Sequence, residues 1–505
     1  MIASIAATVA EWVAPTLDYH ALAPEIVLAV GIFALLSIDL FLGPERRWVT
    51  SALSGFVLLG ALVPVATLAV VGDDVRSMFD GRYVIDEYAL ILKALFLLAG
   101  YVIVLLSSDE IESGRYYQGE YYVLLLTSVL GMVMMASARD LLSIFVALEL
   151  LSIPAYMLAA WNKRNSKGNE AGVKYYLLGV FASAVMLYGM SLLYGVTGST
   201  LLSEIGSSIT TDGRFAGIEI VAVAFVLIGF AFKVSAVPFH QWAPDVYEGA
   251  PTPVTAFLSV ASKAAGFVAM VTMVFVAFPD AHDVYEPLLW VLAVLSMTIG
   301  NVLALRQTNI VRMLAYSSIS QGGFILMPLA VAGSGAPESS LKAVVVYLVI
   351  YAATNLGAFA VVIAVARTTR SGEISSYGGL FTYAPALGVL MTVFMASLAG
   401  IPPLGGWYAK FGAFKALLDA GTGAAYALAV IAAINTVIAA AYYIVVMREI
   451  WMKPVPDGTA TPVRTPSSIM SALVITCALT IVLGVLPDLV ARFGDLADLT
   501  GAFGG

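Results

Sequence analysis

Four ionisable side chains lie inside long apolar runs of this 505-residue sequence: Glu149, Lys233, Lys263 and Lys410. Charged groups inside hydrocarbon are costly, and they usually serve proton or ion transfer. A buried carboxylate either pairs with a cation or takes up a proton. Burial and a nearby carboxylate shift the proton affinity of a lysine in opposite directions. The four side chains are therefore candidates for a proton relay halfway through a membrane.

Each candidate also has a purely structural interpretation. Glu149 could bond a neighbouring helix without moving a proton, and each lysine could extend its stem towards the membrane surface. Apolar sequence flanks Lys233, Lys263 and Lys410 on both sides, which argues against that extension. We therefore favour relay roles for all four.

Other polar residues are weaker candidates. Lys174 opens an apolar run, so an anchor at the membrane surface and a relay role are equally open. His240 could extend a water-filled relay or merely bond free carbonyls. Lys93 is interpreted as an interfacial lysine, and Arg312 and Lys342 as anchors at the starts of their runs.

These residues need membrane-spanning helices to position them. Hydrophobic residues make up 60% of the chain and charged residues 11%, against about 25% charged in soluble domains. A helix crosses a bilayer with about 20 mostly apolar residues. Fourteen segments fit this pattern: 26–42, 48–71, 88–106, 121–138, 141–161, 173–196, 218–242, 253–278, 288–305, 310–332, 343–366, 386–418, 424–447 and 469–486. The sequence predicts an all-α polytopic membrane protein with about fourteen transmembrane helices. No loop is long enough for a soluble domain, so residues 1–505 form a single membrane domain.

The seventh and twelfth predicted spans contain internal prolines. Pro238 and Pro403 each remove a backbone donor and clash with the preceding turn, so both helices should break there. Each proline is followed four residues later by a tryptophan, Trp242 and Trp407. Matching interruptions in two halves of a transporter suggest an internal repeat with the working site between the halves.

Several other classes of site are absent from the sequence. A single cysteine, Cys477, excludes an intramolecular disulfide and four-cysteine cluster ligation. The three histidines are too scattered for a metal cage, and neither a P-loop nor a dinucleotide fingerprint is present. The net charge of −8 shows no basic patch for nucleic acid. Any redox chemistry therefore belongs to another chain. Residues 1–24 lack a basic region and are interpreted as an amphipathic segment before the first span rather than a signal peptide.

Loop charges predict the orientation. Lys and Arg prefer the cytoplasmic side of short loops. With both termini on the outer side, twelve basic residues fall in cytoplasmic loops and five in outer segments. We predict this orientation in a bacterial plasma membrane.

Three segments resemble a known family. Residues 232–257 read FKVSAVPFHQWAPDVYEGAPTPVTAF, residues 399–411 read AGIPPLGGWYAKF, and residues 145–156 read FVALELLSIPAY. They are similar to the antiporter-like subunits of respiratory complex I, the bacterial proton-pumping NADH–quinone oxidoreductase. Within these subunits, the YEGAPTPVT ending of the first segment resembles subunit N. Lys410 argues against subunit M, where a glutamate is typical, and the short stretch after residue 486 argues against the long arm of subunit L.

The resemblance implies two inverted five-helix repeats, residues 121–278 and 288–447, with helices seven and twelve broken. It implies that Glu149 pairs with Lys233 on the broken seventh helix, that Lys263 links towards the exit, and that Lys410 is the terminal lysine on the broken twelfth helix. It also implies that NADH, FMN, iron–sulfur clusters and quinone are bound by partner subunits, with no cofactor in this chain. The partners would be other membrane and peripheral subunits of the complex.

Three functions follow as hypotheses. The favoured one is a proton-translocating subunit of the NADH–quinone oxidoreductase, driven by quinone reduction in neighbouring chains. A cation/proton exchanger of the related multisubunit antiporters is the alternative, disfavoured by the YEGAPTP segment. A passive scaffold conflicts with the buried lysines, because apolar residues in their place would stabilise an inert fold.

Overall fold

A computed structural model describes residues 16–71, 75–113, 119–209, 216–333, 335–456, 462–495, 497 and 499. The helices of the described residues are α1 Ala23–Asp39, α2 Trp48–Val71, α3 Glu87–Ser113, α4 Gly119–Ser137, α5 Leu141–Ala159, α6 Ser166–Thr197, α7 Leu202–Ser208, α8 Ala216–Lys233, α9 Trp242–Gly249, α10 Thr252–Phe257, α11 Lys263–Thr272, α12 His282–Ala304, α13 Ile310–Leu329, α14 Pro337–Thr369, α15 Leu380–Tyr383, α16 Pro385–Ala399, α17 Gly405–Ala420, α18 Gly423–Met452, α19 Ser467–Val485 and α20 Pro487–Asp495. Two π-helical turns, Leu258–Ser262 and Met273–Ala277, continue α10 and α11 as one rod.

The predicted spans all fall on helical segments, but not every segment is a single helix that is long and apolar enough to cross a membrane. Within the described residues, ten helices are long and apolar enough to cross a membrane. The remaining four predicted spans coincide with the 17-residue α1, with α13, and with the interrupted pairs α8–α9 and α16–α17. The chain is thus a mostly helical membrane protein. The count of fourteen stays a prediction.

One small β-hairpin departs from the all-α prediction. Strands β1 Arg76–Met78 and β2 Tyr83–Ile85 pair antiparallel in the connection between α2 and α3. Arg76 bonds Asp18 at 2.9 Å and so ties the hairpin to the chain before α1. The Ala21 backbone N–H and the Arg76 guanidinium outweigh partial burial and hold the pKa of Asp18 below its usual value. Of the predicted segment 1–24, residues 1–15 lie outside the described residues.

The first predicted break is present and its backbone is satisfied by the protein. α8 ends at Lys233 and α9 begins at Trp242. The carbonyl of Phe232, released by the break, accepts a hydrogen bond from the Trp242 indole at 3.0 Å. The Val237 N–H donates to the hydroxyl of Ser296 on α12 at 2.9 Å. Irregular backbone inside a bilayer requires such partners, so the break is a built feature of the fold.

The second break separates α16 from α17 and follows the same logic. Gly400 adopts φ +88°, a backbone conformation that other residues rarely adopt. The Gly406 N–H donates to the Ser397 hydroxyl at 3.0 Å. The carbonyl of Ala399 accepts a hydrogen bond from Lys410 at 3.0 Å. In both breaks a side chain from the second half bonds a carbonyl of the first.

The two halves also match in their helix ends. The side chain of Asp140 caps the first turn of α5, and the side chain of Asn309 caps the first turn of α13. Each capping residue forms a β-bridge to the loop after a long helix, Asp140 to Leu201 after α6 and Asn309 to Glu373 after α14. α6 packs on both parts of the first broken helix, and α14 packs on both parts of the second. These correspondences support the predicted repeats 121–278 and 288–447, which stay a prediction.

Candidate functional site

Glu149 lies on α5 where the buried and exposed faces of the helix meet. Its carboxylate is half-buried and accepts a hydrogen bond from the Ser183 hydroxyl of α6 at 2.6 Å. Val146 and Ile153, on either side of it along α5, are 55% and 51% exposed. A carboxylate at this depth is too short to reach the membrane surface, so the α5 face requires a polar neighbour.

Lys233 ends α8 and is only 4% exposed. Its Nζ donates to the Ser152 hydroxyl at 2.8 Å and to the Tyr175 hydroxyl at 3.3 Å. The stem packs on Gly266 of α11, where an added Cβ would lie 3.0 Å from the lysine Cγ. The resemblance implied a pair between Lys233 and Glu149, but no direct ion pair within 4.0 Å joins them in this structure. The Ser152 hydroxyl, one turn from Glu149 on α5, takes the direct contact instead.

Aromatic stacking connects Lys233 to the second part of its broken helix. The ring of Tyr175 stacks on that of Trp242 with a centroid distance of 4.5 Å and an angle of 12°. Tyr156 meets the same Tyr175 ring edge-on at 4.6 Å. Because Tyr175 also accepts a hydrogen bond from Lys233, the position of α9 and the environment of the lysine are mechanically linked.

Lys263 follows a π-helical turn and is 2% exposed. Such turns are rare and often mark functional sites. Its Nζ donates to the backbone carbonyl of Ser318 at 2.8 Å and to the Ser318 hydroxyl at 2.5 Å. The phenols of Tyr247 and Tyr351 are buried and face this hydroxyl, and neither makes a hydrogen bond of full geometry with a described residue. Unsatisfied buried hydroxyls of this kind are natural partners for water.

Lys410 lies on α17, 5% exposed, and its ammonium sits at the second break. Besides its bond to the Ala399 carbonyl, Nζ lies 4.8 Å from the ring centroid of Phe324, a distance typical of a cation–π contact. Gly400 gives the stem its room, since a Cβ there would lie 2.9 Å from the lysine Cδ. The structure thus buries all three predicted lysines, each with hydroxyl or carbonyl partners.

A polar corridor between Lys263 and Lys410 was not predicted from the sequence. Gln321 lies one turn beyond Ser318 on α13 and accepts a hydrogen bond from Tyr347 at 2.5 Å. It donates to the Leu398 carbonyl, next to the carbonyl that Lys410 bonds, at 3.1 Å. A cavity of about 10 Å³ beside Gln321, Thr354 and Ser397 has room for about one water. The polar run from residue 316 to 321 inside an apolar span is the signal that could have identified it.

Lys174 does not join this buried set. Its side chain is 40% exposed and bonds Asp245 at 2.8 Å and Glu170 at 2.5 Å. Arg312 bonds both Asp245, at 3.0 Å, and Glu248, at 2.9 Å. Arg312, predicted to be an anchor, therefore connects α13 to α9, and this charge network joins the two predicted repeats at one end of the bundle.

His240 lies in the first break and is half-buried. Its Nδ1 is buried and completes no hydrogen bond with any described residue. The structure thus brings His240 near the break but joins it to none of the three lysines by a described hydrogen bond. Within the described part of the chain no group of three His, Cys, Asp or Glu side chains could hold a metal ion.

The prediction for Lys93 as an interfacial lysine is wrong. Lys93 is fully buried, and its Nζ bonds Glu25 of α1 at 2.7 Å. The Tyr83 hydroxyl of the hairpin donates to the same carboxylate at 2.7 Å. The position of Lys93 along its span was read correctly, but a one-dimensional run does not show that α1 supplies an acidic partner.

Comparisons with known proteins agree over nearly the whole chain. Residues 138–439 match the family described as NADH:quinone oxidoreductase/Mrp antiporter, TM. The chain is 40% identical to the NADH-quinone oxidoreductase subunit N of Trichlorobacter lovleyi, covering 95% of this chain and 97% of that protein. It is 39% identical to the protein of the same name from Moorella thermoacetica, covering 93% and 96%.

Solved structures show the same fold. A chain of respiratory complex I from Thermus thermophilus, with bound aureothin, matches with a TM-score of 0.76 at 33% identity and covers 93% of this chain and 98% of that chain. A chain of the Mrp complex from Dietzia matches with a TM-score of 0.82 at 21% identity, covering 95% and 97%, which shows likeness of fold alone.

Proposed function

Because the chain belongs to the subunit N family of the NADH–quinone oxidoreductases, we propose that it carries protons across the membrane through Glu149, Lys233, Lys263 and Lys410. It does so as one subunit of the membrane part of that complex, beside other antiporter-like and peripheral subunits. Electron transfer from NADH through FMN and iron–sulfur clusters to quinone takes place in the partner subunits. The free energy released by this electron transfer drives protons through this chain.

The observation that carries the proposal is the burial of three lysines without a carboxylate partner. Lys233, Lys263 and Lys410 are 4%, 2% and 5% exposed. Among the described residues none of them forms an ion pair within 4.0 Å. A fixed buried ammonium requires an opposite charge to offset desolvation. Lysines held instead by hydroxyls and carbonyls can exist neutral or protonated, as a relay requires.

The steps of the relay follow from the contacts. Glu149 shares one face of α5 with Ser152, which bonds Lys233, so a change in charge at Glu149 changes the proton affinity of that lysine. The proton passes to Lys263, whose neighbour on α11 is the Gly266 that packs on the Lys233 stem. From Lys263 it moves by way of the Ser318 hydroxyl and a water in the cavity beside Gln321 to Lys410.

The half-buried carboxylate of Glu149 supports a neighbouring subunit on the exposed face of α5. A half-buried carboxylate beside the exposed Val146 and Ile153 would be costly against lipid. A neighbouring membrane subunit that covers this face can change the charge next to Glu149 and so start the cycle. The complex resides in the bacterial plasma membrane, and this chain has both termini on the outer side.

The test is proton pumping by the intact complex with Lys233→Ala and Glu149→Ala variants in inside-out membrane vesicles. Acidification driven by NADH is expected to fall severely, while NADH oxidation by a soluble electron acceptor stays normal because it does not need the membrane relay. Lys415→Ala is the matched control, because Lys415 lies on the surface of α17 and bonds only Asp419. Pumping at the wild-type rate in both relay variants would refute the assignment.

A cation/proton exchanger is the second candidate, because the description of the matching family also names the Mrp antiporter and the fold resembles a chain of the Mrp complex. Its identifying property is sodium-driven proton movement by the chain in liposomes without NADH or quinone. Such movement, abolished by Lys233→Ala, would transfer the relay to exchange. Its absence, with NADH-driven pumping intact in membranes, supports the oxidoreductase subunit.

A further inference from the structure

Two adjoining cavities lie along one flank of the bundle, and Lys233, Lys263 and Lys410 line neither of them. An apolar cavity of about 310 Å³ lies between α2, α3, α14 and α19. A second cavity of about 450 Å³ lies between α2, α3 and the start of α19. Leu59 and Tyr101 line both cavities. The two cavities therefore adjoin at Leu59 and Tyr101, and together we call them the α3 groove.

The first part of the α3 groove is suited to hydrocarbon. Among the described residues that line it, Tyr101 and Thr476 have the only polar side chains, and the Thr476 hydroxyl already donates to the Ala472 carbonyl of its own helix at 2.7 Å. Water in such a cavity would lack hydrogen-bond partners. An empty cavity would leave its apolar lining without dispersion contacts. An alkyl chain from the surrounding bilayer satisfies both constraints.

The second part of the groove ends in polar groups. Ser108, Asp109 and Glu112 line it at the end of α3, and Ser51 and Ser467 line it from α2 and α19. From Tyr101 to Glu112 the helix rises about 16 Å, which is about half of a 30 Å hydrocarbon core. Trp48, typical of the membrane interface, lines the same end. The polar end therefore lies at headgroup depth when Tyr101 lies near the bilayer centre.

The two carboxylates at this end, Asp109 and Glu112, differ in their partners. Arg367 forms an ion pair with Asp109 and neutralises it. Glu112 accepts a hydrogen bond from the Ser51 hydroxyl at 3.1 Å and forms no ion pair with a described residue. On the other wall α19 begins after Pro466, with no side chain capping its first turn. The polar end thus offers a carboxylate for a cation, with hydroxyl and backbone donors opposite it.

We propose that the α3 groove binds one phospholipid whose headgroup carries a primary amine, phosphatidylethanolamine being the simplest. The ammonium bonds Glu112, and the phosphate faces the Ser467 side of the groove. One acyl chain runs past Leu59 and Tyr101 into the apolar cavity. The carboxylate of Glu112 complements the zwitterionic headgroup and disfavours a headgroup that carries net negative charge.

The binding has a structural consequence for the bundle. The groove lies between α2 and α3, which precede the two predicted repeats, and α14 and α19, which lie after the first broken helix. A bound acyl chain fills the gap between these parts and extends their packing. The lipid thereby stabilises the packing of these helices, and this role is separate from the lysine relay.

The test uses the intact complex in vesicles containing phosphatidylethanolamine or phosphatidylglycerol, each with a photoreactive diazirine in its acyl chain. After illumination, lipid attached to peptides of α2, α3 and α19 is measured by mass spectrometry. The amine lipid is expected to label these peptides more than the anionic lipid. Glu112→Gln is expected to abolish this preference while some labelling by both lipids persists.

Ala94→Phe, which fills the apolar cavity from α3, is expected to abolish labelling by both lipids. Ala433→Phe on the exposed face of α18 is the matched control and should leave labelling unchanged. Equal labelling by the two lipids in the wild-type complex would overturn the headgroup assignment. Unchanged labelling in Ala94→Phe would overturn the site. Loss of complex assembly in Ala94→Phe but not in Ala433→Phe, with no lipid attached in the wild type, would assign the groove to a protein partner instead.

Discussion

The ammonium of Lys233 lies 2.8 Å from the hydroxyl of Ser152. Ser152 follows Glu149 by three residues on α5, so both side chains project from the same face of that helix. A serine hydroxyl can accept from an ammonium and donate to a carboxylate. Ser152 is therefore placed to transmit a change at Glu149 to Lys233, although the two charged groups do not touch.

Replacing Ser152 by alanine should slow NADH-driven proton pumping. The substitution removes one hydrogen bond to Lys233, worth about 1 kcal/mol, which corresponds to roughly a fivefold change in rate if the bond acts in the slow step. Ser152→Thr retains the hydroxyl and should recover part of the rate. The measurement is the initial rate of acidification of inside-out vesicles, normalised to the amount of assembled complex.

The control for this prediction is Ser191→Ala on α6, whose hydroxyl is exposed and bonds only its own helix at Tyr188. It should pump at the wild-type rate. If Ser152→Ala pumped as fast as Ser191→Ala, the direct contact would have no role in the relay.

Much of the site could be predicted from the sequence, because it depends on the position of each residue along its own apolar span. Lys233, Lys263 and Lys410 are flanked by apolar residues on both sides, and all three are buried. Proline removes a backbone donor and weakens a helix, and α8 and α16 both end before their prolines, whereas Pro64 and Pro154 lie inside the continuous helices α2 and α5. Features that depend on distance along the chain were predictable.

Features that depend on which helix faces which were not. Lys93 is buried because α1 brings Glu25 to it, and no pattern within the third span contains that information. Gln321 was missed because its hydrogen-bond partners, Tyr347 and Leu398, are 26 and 77 positions away along the chain. The β-hairpin, the Ser152 contact and the water-sized cavity arise in the same way, from tertiary packing.

Asp245→Ala should loosen the second part of the first broken helix. Asp245 is held by Lys174 and by Arg312, and α9 begins at Trp242, which stacks on Tyr175. Each partly exposed pair contributes about 0.2–1 kcal/mol, so the loss of both pairs is expected to make backbone amides of α9 exchange with solvent about two- to thirtyfold faster. Hydrogen exchange of the α9 peptide in the purified complex measures this directly. Pumping should fall in parallel, because Tyr175 also bonds Lys233.

Glu170→Ala is the control, because it removes an acidic partner of Lys174 without removing a contact to α9. Glu170 bonds Lys174 within α6, and its side chain is 62% exposed. Its removal should leave the exchange of α9 unchanged. Equal effects of the two substitutions would mean that Asp245 contributes charge alone and does not position α9.

Lys93→Met should destabilise the chain strongly, whereas Lys93→Met combined with Glu25→Gln should not. The side chains of Lys93 and Glu25 are 0% and 11% exposed. Removing one partner of a buried pair costs about 3–5 kcal/mol because it leaves the other charge unpaired, while replacing both is often neutral. Tyr83 can still donate to the glutamine in the double variant. The amount of complex extracted from membranes and its unfolding temperature are the readouts.

Recovery by the double variant is the decisive comparison. If pumping remained low although stability recovered, the pair would have a role in proton movement in addition to its packing role. If stability did not recover, the strong cost of Lys93→Met would have to come from packing of the lysine stem rather than from the unpaired Glu25.

Gly400→Ala should impair pumping through Lys410. Gly400 adopts φ +88°, and an added Cβ would lie 2.9 Å from the Cδ of Lys410. The left-handed backbone costs an alanine about 1–2 kcal/mol, and the contact displaces the ammonium from the Ala399 carbonyl that it bonds at 3.0 Å. NADH oxidation by a soluble acceptor should be unaffected. Gly195→Ala on α6, where a Cβ would meet nothing within 4 Å, should pump normally. Wild-type pumping in a stably assembled Gly400→Ala complex would show that the geometry at the second break does not limit proton release, because Lys410 could then leave this carbonyl without consequence.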